Sequence, residues 1–178
     1  MNHDSTEMQA DLRARLAADP LWAFALELYA RPGVESACLE LQEKADIDVC
    51  ELLWRCWLLT HGALPGPEAE ASLAAVRRWQ REVTAPLRRL RRGLKAEAAA
   101  RSGVARLRET LKRAELEAER ETLTRLEHLA LNHPLTALGN DDQAAQKALR
   151  NALQVKKKPH LSTLNSLVVR LDPPPGPG

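Results

Sequence analysis

Of the 178 residues of this chain, 59 are Leu or Ala and only nine are Val or Ile. Straight-chain and small side chains lose little rotamer freedom in a helix, whereas β-branched ones lose more and suit strands. The imbalance predicts an all-α protein, a compact bundle of six to eight helices. Hydrophobic residues make up 44% and charged residues 28%, enough apolar surface for a core. No apolar run approaches the roughly 20 residues that span a bilayer, so no membrane partner is expected.

Punctuation in the chain places the elements. Leu12 and Leu16 lie four apart on a short amphipathic helix expected over residues 5–18. Asp19-Pro20 is a start signal, with Asp19 as cap and Pro20 in the first turn, for an apolar helix Leu21–Tyr29 that Pro32-Gly33 stops. Val34, Cys38, Leu41 and Ala45 mark the face of a second such helix. Asp46 or Asp48 caps a third, running to His61, on which Cys50, Trp54, Trp57 and His61 form a stripe. Gly62–Pro67 is expected to be a loop, and Pro67 to open the next helix. Pro86 either ends that helix or kinks it. A long helix is expected from Val104 to Ala130, then helices over about 142–155 and 161–171. The Pro- and Gly-rich end, 172–178, reads as a disordered tail. The organisation expected is an N-terminal arm or short helix (1–20), a helical bundle (21–138), a C-terminal helical extension (139–171) and the tail.

Leu21-Trp22, Ala25-Leu26, Leu28-Tyr29, Gly33-Val34 and Ala37-Cys38-Leu39 are followed by Leu41-Gln42, Asp48-Val49 and Trp57-Leu58. Further on stand Trp79-Gln80-Arg81-Glu82-Val83, Pro86-Leu87-Arg88, Glu115-Leu116 and Ala118-Glu119-Arg120. From Leu21 to Ala130 this series resembles a bacterial family of unknown function, number 2390. The resemblance implies a small helical cytosolic protein; it implies no activity and no catalytic residues.

Charge is distributed unevenly. Residues 1–76 carry 13 acidic and five basic side chains, and residues 77–178 carry 11 acidic and 21 basic. That split suggests either an anionic partner for one half or packing of one half on the other. Between Arg77 and Lys95 there are eight basic residues and one acid, Glu82. On a continuous helix at about 100° per residue, Arg77, Arg81, Arg88, Arg92 and Lys95 share a sector, with Arg91 at its edge. Val76, Trp79, Val83, Leu87, Leu90 and Leu94 take the opposite side. The basic sector is then a solvated outer face, a partner for the acidic half, or a binding surface for phosphates. Glu115, Glu117, Glu119 and Glu121 read as solvated charges paired with nearby bases.

Trp54 and Trp57 are either core residues or an aromatic groove for a partner helix. Cys38, Cys50 and Cys56, odd in number and with no apolar leader at the N-terminus, read as reduced thiols of a cytoplasmic protein. Five and four residues intervene between Cys50, Cys56 and His61, which do not share one helix face, so no metal is expected. No Gly-rich phosphate loop, nucleophile elbow or paired-His helix occurs, and neither a cofactor nor catalysis is expected. The leading expectation is a non-enzymatic interaction or adaptor protein with a protein partner, with a homodimer open. The alternative is a nucleic-acid-associated factor, and an enzyme stands third.

Overall fold

The computed structural model describes residues 2–172, with side chains from Ser5 onward. Of the disordered tail expected over 172–178, Asp172 is placed, paired with Arg31 at 2.8 Å, and residues 173–178 lie outside the described residues. The fold is all-α, as the Leu/Ala excess implies, with one short ribbon. In chain order the elements are α1 Asn2–Ala18, α2 Leu21–Tyr29, α3 Val34–Ala45, α4 Val49–Thr60, β1 Ala63–Pro65 and α5 Pro67–Trp79. A π-helical turn, Gln80–Thr84, leads into α6 Ala85–Gly93. Then come α7 Lys95–Ala100, α8 Ser102–Asn132, β2 Leu135–Ala137, α9 Ala144–Ala152 and α10 Lys158–Val168. No described helix is long and apolar enough to cross a membrane.

The centre is α4. Every side chain from Cys50 to Leu59 is buried, and α2, α3, α8 and α9 pack around it. Asp48 caps it by accepting the amide of Glu51 at 3.0 Å, which satisfies one of the free donors of the first turn. Trp54 and Trp57 are both fully buried, so the aromatic groove expected as an alternative does not exist. Their helical spacing with four leucines puts them in the interior, where each large ring removes the most apolar area from water. Trp57 Nε1 donates to the carbonyl of Asp19 at 2.8 Å, and His61 Nε2 lies 2.8 Å from Asp19 Oδ2. The Asp19 side chain is thus occupied at the end of α4 and does not cap α2. The first amide of α2, that of Leu21, is instead accepted by Glu127 of α8 at 2.6 Å.

One hydrophobic cluster runs from Leu12 and Leu16 of α1 to Leu164 and Leu167 of α10. The N-terminal helix and the C-terminal pair therefore pack onto the same core as residues 21–138. The segment after Gly62, expected as a loop, pairs as an antiparallel ribbon with the chain after Pro134, Ala63 opposite Ala137 and Pro65 opposite Leu135. Gly66 makes the ribbon possible: a Cβ there would stand 2.4 Å from the Pro134 carbonyl oxygen. The ribbon ties the end of α4 to the end of α8.

Candidate functional site

Pro86 neither ends the helix nor simply kinks it. Its missing amide cannot bond four residues back, and the chain widens into the π turn over Gln80–Thr84, where the Ala85 amide bonds the Gln80 carbonyl five residues back. One residue more per turn rotates everything beyond it by about 100° relative to α5. The sector expected from a continuous helix is therefore broken. Leu90, expected on the packing side, is 57% exposed. Arg88 and Arg91 turn inward onto α8.

There the guanidinium groups meet carboxylates. Arg88 Nε donates to Glu115 Oε1 at 2.9 Å, and its terminal nitrogen donates to Glu119 Oε1 at 2.7 Å. Arg91 Nε donates to Glu115 Oε2. Before the π turn, Arg77 donates to Glu51 at 2.8 Å, and Arg55 holds Glu51 and Glu70 together at 2.9 and 2.7 Å. Arg92 reaches Glu43 at 3.5 Å, with both side chains about half exposed. The expected free cationic stripe is thus corrected. Arg77, Arg88 and Arg92 hold internal acids, and among the described residues only Arg81 and Lys95 of the five hold none. Partners in the acidic half, Glu43 and Glu51, account for two of these pairs. Glu115 and Glu119, four apart on α8, account for the others; they are not solvated charges, for Glu115 is buried.

These groups border a cleft of about 640 Å³ between α2, α3, the start of α4, the π turn, α6 and α8. Its walls are apolar: Trp22, Tyr29, Ile47, Val49, Leu53 and Leu123. At its mouth stand Leu26, Leu39 and Leu116, which are 54%, 38% and 49% exposed. Its floor is polar. Asp48 Oδ2 accepts from Gln80 Nε2 at 2.9 Å, and Gln80 Oε1 accepts from the buried hydroxyl of Thr122 at 2.8 Å. Thr84, on the π turn, is buried and lines the same space, and its Oγ1 has no hydrogen-bond partner. A helical Thr ordinarily bonds back to the carbonyl four residues before it. For Thr84 that carbonyl is Gln80, which the π turn gives to Ala85.

Burial dominates the ionisation of the floor. It raises Asp48 above its usual carboxylate range, against the opposing hydrogen bonds of the Glu51 amide and Gln80. It raises Glu119 too, although Arg88 opposes it, and Glu115 and Asp48 add like-charge repulsion. Glu115 and Glu51 behave oppositely. Burial pushes each up, but Arg91 with Arg88, and Arg77 with Arg55, outweigh it and hold both below the usual range. The Cys50 thiol is pushed up by burial and by Asp48 and Glu119, and Tyr29 is pushed up to about 12, chiefly by burial. The three cysteines are free and buried, packed as small apolar side chains.

The family model described as "Protein of unknown function (DUF2390)" matches residues 20–126. The chain belongs to this family. The matched span of this DUF2390 protein contains every residue that lines the cleft. Neither the curated proteins nor the solved structures gave a match. Asp48, Gln80, Thr84, Glu115 and Glu119 are the cleft residues that sequence reasoning missed as a group. The four-residue spacing of Glu115 and Glu119 was the available signal, since it places both on one helix face.

Proposed function

We propose that this DUF2390 protein is a ligand-binding protein whose cleft receives a small molecule with an apolar body and a polar head. The observation that carries this reading is the cleft itself: apolar walls over a polar floor, with one buried hydroxyl left unpartnered. A roomy, mostly apolar cavity with a few converging polar groups is the usual form of a small-molecule site, and helix breaks of the π type recur at functional sites. The adaptor role with a protein partner, expected from the sequence, is a different reading, and the cleft favours a small ligand over it. Contact with nucleic acid loses support, because most of the guanidinium groups expected to neutralise phosphates already hold carboxylates. Three buried reduced thiols suit a cytoplasmic setting.

Trp22 stands in the cleft wall, so its fluorescence offers a direct titration. Aromatic and alkyl fragments should quench it saturably and raise the melting temperature. Ala85→Phe, which fills the space beside Thr84, should abolish both effects while the protein stays folded. Saturable binding that persists in Ala85→Phe, or no saturable binder for the wild type, would refute the proposal.

A further inference from the structure

Past the cleft, α6, α7 and the first part of α8 form a helical hairpin without a core of its own. No residue from Ala85 to Ala114 is buried, and α6 and α7 pack chiefly on α8. A helix with an apolar stripe ordinarily buries it against another element. Here Leu90 of α6 and Leu107 of α8 are 57% and 51% exposed. Leu90 stands two residues from Arg88 and from Arg92, and Leu107 nine residues before Leu116, all three of which line the cleft. At about 100° per residue these steps are each roughly half a revolution. Both leucines therefore lie on the side of the hairpin turned away from the cleft.

Pro86, Arg89, Leu90, Gly93 and Leu94 border a mostly apolar notch on that side. A Cβ at Gly93 would meet nothing within 4 Å, and its φ is not left-handed, so neither packing nor a turn within the chain calls for a glycine that weakens the helix. Pro86, Leu90 and Gly93 follow at steps of four and three, and Gly103, Leu107, Thr110 and Ala114 at four, three and four. That is the spacing with which one helix offers a seam to another. The rim is cationic. Residues 85–114 carry ten basic and two acidic side chains. Arg88, Arg91, Arg92, Arg101 and Arg108 hold carboxylates. Among the described residues Arg89, Lys95, Arg106, Lys112 and Arg113 hold none. Glu82 and Glu117, within one turn outside the segment, lower that excess from five to three.

We infer that the outer face of the hairpin docks an acidic amphipathic helix of a partner protein, whose apolar stripe covers Leu90, Gly93 and Leu107 and whose carboxylates meet Arg89 and Arg106. The charge decides against a second copy of the same face, which would set these cations against their own kind. The exposed leucines decide against a phosphate backbone, which would leave them in water. No aromatic residue occurs between 85 and 114 to stack on a base or to sit at a lipid interface. An apolar seam with complementary flanking charges is how a groove takes a helix. The inference stands apart from the cleft and from whatever fills it.

The probe is a fluorescein-labelled peptide of three heptads with Leu at the two seam positions and Glu at the positions flanking them. A shuffled peptide of the same composition, a DNA duplex and phosphatidylglycerol vesicles are titrated beside it against the full chain. The heptad peptide should bind saturably, at least about tenfold more tightly than the shuffled one, and more weakly as salt rises. Leu90→Ser with Leu107→Ser should weaken it at least about tenfold, and so should Arg89→Glu with Arg106→Glu. All four residues are exposed, so the melting temperature should hold in both variants. Equal binding of the shuffled peptide would reduce the face to a charged surface and overturn the inference. Tighter binding of the duplex or of the vesicles would assign the face to a nucleic acid or a lipid and overturn it too. The inference also fails if the heptad peptide does not bind, or binds both variants as it binds the wild type.

Discussion

Two buried glutamates, each gripped by two arginines, stand before and after the π turn in the chain's network of pairs. Glu51 is held by Arg55 and Arg77, and Glu115 by Arg88 and Arg91. In the first cluster Glu70 completes two acids and two bases; Arg55 is only 5% exposed, while Arg77 is 51% exposed and borders the cleft. In the second, Arg88 is shared with Glu119, and the whole borders the cleft beside Asp48. The same ingredients, an inward glutamate and a guanidinium fork, make a lock in one place and a receptive floor in the other. The difference lies in whether a hydroxyl and a carboxylate oxygen remain to be used.

Breaking the first cluster should have the larger effect. Glu51→Ala leaves Arg55 and Arg77 with Glu70 alone and should cost about 3–5 kcal/mol, the scale for a buried pair that loses one partner. Urea denaturation reads the loss. Glu115→Ala should cost about 2 kcal/mol by the same measurement, because Arg88 keeps Glu119 and neither Arg88 nor Arg91 is as deeply buried as Arg55. Equal costs at the two sites would remove the distinction between lock and floor.

Acidity sharpens the comparison, because the two regions respond with opposite sign. Glu51 and Glu115 are held below their unfolded value, so their stabilisation is present above that value and fades as pH falls through the folded one. Asp48 and Glu119 are held above it. Their ionisation in the folded protein works against stability as pH rises through the folded value, since the unfolded chain has already given up those protons. Asp48 faces Glu51 and Cys50 from α4, Gln80 from the π turn, Glu119 from α8 and Arg77 from α5, the one base among them, and burial still outweighs it. Asp48→Asn should therefore gain stability relative to wild type as pH rises from about 4 to about 7. Glu115→Gln should show the reverse at lower pH, losing relative stability as pH rises from the lowered folded value to the ordinary glutamate value of about 4.3. Unfolding midpoints from about pH 3 to about pH 7 decide the matter, and parallel curves for the two variants would contradict the assignment.

The smallest effect is expected at the rim. Arg92→Ala removes an exposed pair at 3.5 Å and should change stability by no more than about 0.5 kcal/mol. A larger loss in urea denaturation would mean that Arg92 belongs to the locked interior.

What the sequence reveals follows from how far each signal acts. The Leu/Ala excess and the caps act locally, and α3, α4, α5 and α8 start close to where Val34, Asp48, Pro67 and Val104 place them. The spacing of Trp54 and Trp57 leaves core and groove open, and only the packing of α2, α3 and α8 around α4 decides for the core. Arg88 and Arg91 do not follow from spacing either, because Pro86 signals an interruption without saying how far it rotates the helix beyond it. That rotation sets which face meets Glu115, 27 residues from Arg88, and periodicity within one segment carries no information about it. Asp19 shows the same limit: its side chain's local role as a cap loses to His61, 42 residues away.

The claim on which the rest depends is that the π turn delivers Arg88 to α8 instead of to solvent. A double-mutant cycle of Arg88→Ala with Glu115→Ala, read by urea denaturation beside the cycle of Arg92→Ala with Glu43→Ala, tests it directly. A coupling of about 1–3 kcal/mol for the first pair and near zero for the second is the predicted result. Equal, negligible couplings would place Arg88 in water and contradict the account.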